Sequence, residues 1–248
     1  MYQFFVEPQQ IHVADKSVTI TGNDVNHIKN VLRMKIGEEI AVSNGQDGKE
    51  YRCGIREYTE DAVLCELRFI KEDGVELPSR IYLFQGLPKA DKMELIIQKA
   101  VELGAAGVIP VATMKRCVVK LDDKKAASKI TRWQGIAEAA AKQSKRGIIP
   151  QITKVMTFAQ ALEYSSTAQV RLVPYELAEG MDRTREIIEQ IQPGQDIAVF
   201  IGPEGGFDEA EIGKVIEAGT QPITLGKRIL RTETAGMTVL SILMYHLE

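Results

Sequence analysis

Residues 196–219 decide the fold class, and they read DIAVFIGPEGGFDEAEIGKVIEAG. The apolar run 197–201 is typical of a strand that is buried on both faces of a sheet. The glycine-rich loop that follows ends at Asp208, which with Glu211 fits the capping box that begins a helix. Gly219 is a typical end for that helix. A buried strand, a loop and a helix in this order predict one unit of a parallel α/β sheet.

The same alternation continues on both sides of this stretch. Predicted strands are RIYLFQG, GVIPVAT, QVRLVPY and PITLG, and predicted helices span 90–103, 128–146, 182–191, 208–218 and 233–247. The last helix is apolar on nearly every side, so we expect it to be buried all round, with one side in the core and the other in a subunit interface. Alternating strands and helices predict an α/β fold with a mostly parallel sheet and helices on both faces.

Residues 1–72 follow a different pattern, in which short strands recur at regular spacing. IAVSN and KEYRCGI flank a turn at 45–48, AVLCELRFI follows as a further strand, and one short helix is predicted over 25–34. This pattern favours a small β-barrel over a layered α/β unit. Residues 73–79 are charged and contain glycine and proline, which indicates a linker. We therefore predict a barrel over 1–72 and an α/β domain over 80–248.

Composition excludes several classes of protein. Of the 248 residues, 44% are apolar and 26% are charged, which excludes a mainly disordered chain. No apolar run reaches the ~18 residues of a membrane span, and the N-terminus lacks the pattern of a signal peptide. The three cysteines and three histidines do not have the spacing of a zinc site or a disulfide framework. We expect a cytoplasmic protein that binds neither a membrane nor a metal.

Charge is distributed unevenly along the chain. The formal net charge of the whole protein is -3, but residues 85–154 contain 14 basic and 6 acidic side chains and carry +8. A positive block of this size in an acidic protein is typical of a surface that binds a polyanion. The alternative is a set of lysine-rich helix faces that are merely solvated.

Three predicted strand ends contain the residues best suited to a ligand, because ligands of parallel sheets bind beyond the carboxyl ends of the strands. These ends span 173–176, 201–207 and 225–235. The glycines of 201–207 let the backbone approach a ligand closely, although the loop matches neither the dinucleotide-binding nor the P-loop pattern. Arg231 lies at the start of the last helix, where the helix dipole disfavours an unpaired cation. Its position indicates either a salt bridge, for example to Glu233, or a ligand.

Two of these segments, IGPEGGF at 201–207 and LGKRILRTETA at 225–235, are similar to motifs of the RsmE family of 16S ribosomal RNA uridine-N3 methyltransferases. That family belongs to the SPOUT superfamily of knotted methyltransferases. The similarity extends over essentially the whole chain and includes KADKMELIIQKAVELG at 89–104. Further matching positions are His27, Val31, Leu32, Arg33, Arg132, Trp133, Glu138, Ala139, Ala140, Gln143, Arg146 and Pro150.

This resemblance implies a fold and a function. The N-terminal domain would be a PUA-like RNA-binding barrel, and the C-terminal SPOUT domain would contain a deep trefoil knot. The three strand ends would be the knot loops and would hold S-adenosylmethionine in a bent form, and two subunits would pair through this domain as a homodimer. The enzyme would methylate N3 of a uridine in 16S rRNA, either as free RNA or within the small ribosomal subunit.

The resemblance also assigns residues to the site. Those implied to bind the cofactor are Pro174, Ile201, Gly202, Pro203, Glu204, Gly205, Gly206, Leu225, Gly226, Ile229, Leu230, Thr232 and Ala235. Those implied to bind RNA are His27, Arg33, Lys89, Lys92, Lys142, Gln143, Lys145 and Arg146. Arg231 is the catalytic candidate for stabilising the charge that develops on the uracil oxygens when N3 loses its proton. Glu233 or Glu204 would accept that proton, and Glu233 is the second catalytic candidate.

Other functions fit some of the same residues. A ribose 2′-O methyltransferase of the same superfamily would differ in the position of the methyl group on the nucleoside. A non-catalytic RNA-binding factor for ribosome assembly would not bind S-adenosylmethionine. A nucleotide-dependent oxidoreductase is the weakest alternative, because the loop matches no dinucleotide-binding pattern.

Overall fold

The chain folds into two compact units. The first contains residues 1–76 and 141–149, and the second contains residues 77–140 and 150–248. A computed structural model of the protein describes residues 1–72, 74–113, 123–176, 178 and 180–248. Cys117 and part of the predicted +8 block lie outside the described residues.

The first unit is built on a six-stranded sheet in the order β1-β4-β5-β6-β3-β2. Its strands are β1 (Gln3–Phe5), β2 (Ile11–His12), β3 (Ser17–Thr21), β4 (Glu39–Ser43), β5 (Glu50–Tyr58) and β6 (Ala62–Lys71). Strand β1 is parallel to β4, and the other described pairs are antiparallel. The helix predicted at 25–34 is a short α1 (Asn23–Asn26) that continues as a π-helical turn over His27–Val31. A 3-10 turn spans Pro8–Gln10.

The first unit also includes residues 141–149, which the sequence pattern places in the α/β domain. The carboxylate of Glu76 accepts hydrogen bonds from the N–H groups of Gly147 and Ile148, both at 3.1 Å. It also pairs with the guanidinium of Arg146, whose side chain is only 5% exposed. These contacts hold the segment to the chain that follows β6, so a cut in the predicted linker would not release a complete unit.

The second unit contains a seven-stranded sheet in the order β10-β8-β7-β12-β11-β13, with β9 paired to β8. Its strands are β7 (Ile81–Gly86), β8 (Ala105–Ala112), β9 (Gln151–Ile152), β10 (Met156–Thr157), β11 (Val170–Pro174), β12 (Ile197–Ile201) and β13 (Gln221–Ile223). Its helices are α2 (Lys92–Glu102), α3 (Asp123–Ser144), α4 (Phe158–Ser165), α5 (Met181–Glu189), α6 (Glu209–Glu217) and α7 (Thr232–Leu247). Each described strand pair is parallel, which confirms the predicted sheet. The trefoil knot stays a prediction.

Strand β12 lies at the centre of the core. All five of its residues are buried, as the apolar run 197–201 predicts. Phe200 pairs in register with Phe84 of the neighbouring β7, and the two rings stack with centroids 4.6 Å apart. This packing places the glycine-rich loop that follows β12 directly on a rigid part of the sheet.

Helix α7 is buried on one side only within a single chain. Val239, Leu240 and Leu243 are fully buried, whereas Tyr245 is 87% exposed. The core side is thus as predicted, and the side that is exposed in a single chain is the one that the sequence analysis assigns to a subunit interface, which stays a prediction. Among the described helices, none is both long and apolar enough to span a membrane.

A Gly213→Ala variant is expected to raise the free energy of unfolding by up to ~1 kcal/mol, because glycine is a poor helix former. Gly213 lies inside α6, and a Cβ atom there would meet nothing within 4 Å. Urea unfolding of the two proteins would measure the difference. Gly206→Ala is the control and should lower the free energy of unfolding, because Gly206 has a φ of +68° that an alanine adopts only with strain. Equal stability of Gly213→Ala and the parent protein would contradict the expectation.

Candidate active site

A cavity of about 870 Å³ lies at the carboxyl ends of three neighbouring strands, β12, β11 and β13. The loops that follow these strands line it, together with the first turns of α5, α6 and α7. Its lining includes every residue that the sequence analysis assigns to the cofactor: Pro174, Ile201, Gly202, Pro203, Glu204, Gly205, Gly206, Leu225, Gly226, Ile229, Leu230, Thr232 and Ala235. The structure thus brings these residues together, and their role in binding stays a prediction.

Sequence reasoning did not assign the remaining residues of the lining. They are Tyr175, Glu176, Ala178, Gly180, Met181, Phe207, Glu209, Ile212, Thr224, Lys227 and Arg228. Five of them, Tyr175, Glu176, Phe207, Lys227 and Arg228, lie within the three predicted strand ends but were given no role there, and the others lie outside these ends.

The glycines of the loop after β12 are needed for backbone packing within the protein. A Cβ atom at Gly202 would lie 2.8–2.9 Å from backbone atoms of Gly206 and Phe207. A Cβ atom at Gly86, the last residue of β7, would lie 2.6 Å from the ring of Pro203. Contacts this short leave room only for glycine, so the loop is folded tightly on itself and against the end of β7.

A buried hydrogen-bond network ties the loop after β12 to the start of α7. The hydroxyl of Thr232 donates to the carbonyl oxygen of Gly202 at 2.6 Å. The side-chain amide of Gln85, which is fully buried, donates to the Thr232 hydroxyl at 2.9 Å. Sequence reasoning missed Gln85, although a glutamine at the end of the apolar run RIYLFQG is a signal for a buried polar contact. The network fixes two of the three loops relative to each other.

Glu204 is anchored over the cavity by α2 and the residues before it. Its carboxylate accepts a hydrogen bond from the N–H of Lys89 at 3.0 Å and lies 3.3 Å from the ammonium of Lys92. Burial acts to raise the pKa of Glu204, but hydrogen bonds from its own N–H and that of Lys89, with the Lys92 ammonium, hold the pKa below its usual value. The carboxylate is therefore ionised at neutral pH.

Lys92 also contacts the catalytic candidate Glu233, at 3.4 Å. Sequence reasoning placed Lys89 and Lys92 on the RNA surface, but the structure places both beside the loop that lines the cavity. Lys92 joins the first turn of α2 to the first turn of α7 through Glu233, and to the glycine-rich loop through Glu204. A long-range contact of this kind leaves no signal in the spacing of the sequence.

Arg231 is exposed at the N-terminal end of α7, between the lining residues Leu230 and Thr232. It forms no ion pair within the described ranges of the chain. Glu233 pairs with Lys92, so the salt bridge to Glu233 that the sequence analysis left open does not form. The guanidinium thus lies where the positive end of the helix dipole disfavours a cation. No carboxylate of the described residues pairs with it to offset this unfavourable interaction.

Six of the predicted RNA contacts lie in the first unit. Of these, the exposed residues are His27, Arg33, Gln143 and Lys145. The ammonium of Lys142 lies 3.4 Å from the carboxylate of Asp24, which brings the end of α3 next to α1. Two sets of residues that are more than 100 positions apart in sequence therefore meet on this unit.

The structure does not place Arg146 on an RNA-binding surface, although the sequence analysis predicted it there. Its side chain is buried against Glu76 and is not available to a phosphate. The physical reason is the fold of 141–149, where Arg146 and two backbone N–H groups share one carboxylate. We therefore leave Arg146 out of the RNA surface. In the described part of the chain, no group of three or more metal-binding side chains is present.

Comparison with known proteins agrees with this architecture. Residues 75–244 match the model of an RNA methyltransferase domain, and residues 20–68 match that of an RNA methyltransferase PUA domain. Ribosomal RNA small subunit methyltransferase E of Bacillus subtilis is 40% identical, over 100% of this chain and 98% of the relative. The namesake from Synechocystis is 30% identical, over 97% of this chain and 76% of the relative.

A solved structure of another protein with this name has the same fold. Ribosomal RNA small subunit methyltransferase E from Neisseria gonorrhoeae, bound to S-adenosyl methionine, superposes with a TM-score of 0.81 at 31% identity. The match covers 97% of this chain and 95% of that one. The chain therefore belongs to the RNA methyltransferase family of ribosomal RNA small subunit methyltransferase E.

Proposed function

We propose that this protein transfers a methyl group from S-adenosylmethionine to N3 of a uridine in 16S rRNA. One observation carries the proposal: the segments IGPEGGF and LGKRILRTETA, which follow two different strands, line a single cavity. The relatives named above are methyltransferases of small-subunit rRNA, and the relative from Neisseria gonorrhoeae binds S-adenosyl methionine.

The cavity fits the cofactor in size and in chemistry. A volume of about 870 Å³ is within the usual range for small-molecule sites. Glycine backbone at 202, 205, 206 and 226 would offer polar groups without side-chain obstruction, and Ile201, Leu225 and Leu230 would cover a planar adenine. The ionised carboxylate of Glu204 suits a ligand that carries a positive charge on sulfur. We propose these residues as the cofactor site.

When bound, S-adenosylmethionine supplies an electrophilic methyl group, and the chain must supply the rest. Uracil N3 has to lose its proton before it can act as a nucleophile, and negative charge then spreads to the neighbouring carbonyl oxygens. Arg231 is exposed and has no ion pair within the described residues, so its guanidinium is available to these oxygens. The N-terminal amides of α7 add to the positive potential there.

We propose Glu233 as the proton acceptor. Its carboxylate oxygen Oε2 is buried and faces the ammonium of Lys92 without a hydrogen bond from the described residues, so this carboxylate is less tied by hydrogen bonds than that of Glu204. The Lys92 ammonium, 3.4 Å away, fixes the position of this carboxylate. Glu204 is already held by the N–H of Lys89 and by Lys92, which leaves it less free to take part.

The first unit is the proposed RNA-binding domain. Its exposed candidates are His27 and Arg33, in and just after the π-helical turn that follows α1, and Gln143 and Lys145, at and just after the end of α3. The contact between Asp24 and Lys142 brings these two segments together. Phosphate contacts by the cations Arg33 and Lys145 would give an RNA affinity that falls as the salt concentration rises.

We also propose that the protein acts as a homodimer in the cytoplasm. The exposed side of α7, which includes Tyr245, leaves apolar surface that a second copy would cover. Light scattering after size-exclusion chromatography would measure the mass in solution. A monomer at micromolar concentration would contradict this part of the proposal.

The function is tested on nucleosides from rRNA. We expect 3-methyluridine in the small-subunit rRNA of cells that contain the protein, its loss when the gene is deleted, and its return when the purified protein and S-adenosylmethionine are added. Mass spectrometry of digested rRNA measures all three. A methyl group on the ribose 2′ oxygen instead would support the alternative methyltransferase. Failure of the protein to bind S-adenosylmethionine would support the non-catalytic assembly factor.

A further inference from the structure

We propose that residues 226–230, here called the rim loop, bind the RNA substrate at the entrance of the cavity. Lys227 and Arg228 contact phosphates next to the target nucleotide, and the side chain of Ile229 packs against a base. The inference rests on the proposed function and adds a contact site to it. It concerns residues of the second unit that the sequence analysis did not assign to RNA.

The rim loop is held firmly at its base and is exposed at its tip. The N–H of Thr224 donates to the hydroxyl of Thr184 at 2.9 Å, and the N–H of Gly226 donates to the hydroxyl of Thr224 at 3.3 Å. Beyond this point Lys227, Arg228 and Ile229 are all exposed. A fixed base with a projecting tip presents these side chains to a ligand at little cost in chain entropy.

The two cations of the rim loop are available for a phosphate. Neither Lys227 nor Arg228 forms an ion pair in the described portion of the protein, and both lie on the lining of the cavity. By contrast, Lys92 is paired with two carboxylates. Among the described residues that line the cavity, the cations without an ion pair are therefore Lys227 and Arg228 of the rim loop, and Arg231 lies next to that loop.

Ile229 is the most exposed large apolar residue next to the cavity. It is 86% exposed, although its neighbour Leu230 is half-buried. A cofactor in the cavity would contact the backbone of the rim loop and leave this side chain in water. Enzymes that modify a base take it out of the stack, and apolar side chains that fill the space between bases are a common device in nucleic-acid binding.

The charge around the cavity favours phosphate on the rim loop over other positions. The other loops contribute carboxylates to the lining, from Glu176, Glu204 and Glu209. These would repel a phosphate, so the sugar–phosphate backbone is directed to the rim loop while the uncharged uracil enters the cavity. The same cations could instead bind the carboxylate of the cofactor, and the experiment separates the two anions.

The test is the salt dependence of binding to an in vitro transcript of 16S rRNA. For Lys227→Ala/Arg228→Ala we expect the slope of log affinity against log salt to become less steep by about 0.7 for each phosphate that the variant no longer neutralises. Affinity for S-adenosylmethionine, measured by calorimetry, should stay unchanged. Ile229→Ala should weaken RNA binding without changing the slope. Lys154→Ala/Lys214→Ala is the control, since it removes two exposed lysines that do not line the cavity.

Each outcome decides something different. A flatter slope in the rim-loop variant alone supports the inference. An unchanged slope in a protein that binds RNA normally overturns it, and an unchanged slope with weaker cofactor binding assigns the two cations to the cofactor carboxylate. An equally flat slope in the control variant would also overturn it, because the effect would then be one of net charge. Failure of the wild-type protein to bind the transcript would instead overturn the proposed function, and this inference with it.

Discussion

Replacing Gly202 by valine is expected to abolish binding of S-adenosylmethionine, with an affinity at least about a hundredfold lower, or about 2.8 kcal/mol. The first atom of the new side chain would lie 2.8–2.9 Å from backbone atoms of Gly206 and Phe207. Backbone cannot give way as a flexible side chain can, so the glycine-rich loop must open. The carbonyl oxygen of Gly202 would then lose its hydrogen bond from Thr232, and the lining of the cavity would change on two sides.

The effect should be confined to the loop, because β12 is buried on both faces and does not depend on it. Calorimetric titration measures the affinity, and thermal unfolding measures whether the variant is folded. Gly213→Val is the matched control, since it makes the same change in α6, where a Cβ atom meets nothing within 4 Å. Unchanged cofactor affinity in a folded Gly202→Val protein would place the cofactor elsewhere.

The cavity could be predicted from sequence because its residues follow directly from strand ends. An apolar run that ends in a glycine-rich segment fixes where a strand stops, and parallel strands end at the same edge of the sheet. Spacing did not reveal that β12, β11 and β13 are neighbours. That order comes from the pairing of the strands in the sheet, whereas the resemblance to a known family implied only that the three loops lie together.

Residues that act through long-range contacts could not be predicted. Lys92 belongs to a basic block, and its charge alone indicated an RNA contact. The structure shows two carboxylates beside it, and no sequence pattern indicated these. Arg146 shows the same limit, because only the position of Glu76, 70 residues earlier, explains its burial. A pattern of charges gives the sum over a segment, whereas the partner of each charge depends on tertiary structure.

Some features were present in the sequence and were missed. Helix α4 begins with Thr157 and Gln160, whose side chains form a complete capping box. No element was predicted there because its apolar stripe is short. Trp133, by contrast, was expected to pack in the core, as a lone tryptophan on a helix usually does, and it is 4% exposed.

The last expectation concerns the chemistry. Replacing Arg231 by alanine should lower the rate of methyl transfer by about 10²–10³, with little change in affinity for RNA or cofactor. Arg231 has no ion pair within the described residues, and it lies between Leu230 and Thr232 of the cavity lining. The guanidinium stabilises the uracil oxygens only when they become negative, and neutral uracil in the ground state carries no such charge. Loss of the guanidinium therefore raises the barrier without weakening either bound ligand.

Three further measurements separate this role from a structural one. Removing a cation from the N-terminal end of α7 relieves a repulsion by the helix dipole, so the stability of Arg231→Ala should stay the same or rise by up to about 1 kcal/mol. Arg231→Lys should recover only part of the rate, because an ammonium lacks the planar fork of a guanidinium. The rate of Arg231→Ala should rise more steeply with pH than that of the wild type. A higher pH ionises more of the uracil, so less stabilisation of the uracil oxygens by a guanidinium is required.

Single-turnover rates with saturating RNA and cofactor, measured across pH, test the mechanism directly. Arg183→Ala is the control, since Arg183 is an exposed arginine on α5 whose partner is Glu186. A normal rate for Arg231→Ala would remove Arg231 from the chemistry, and weaker binding with an unchanged rate would make it a binding residue. A loss of stability that parallels the loss of rate would make it a structural one. In either case the charge on the uracil oxygens would have to be stabilised by the amides of α7 alone, and the pH dependence of Arg231→Ala would match that of the wild type.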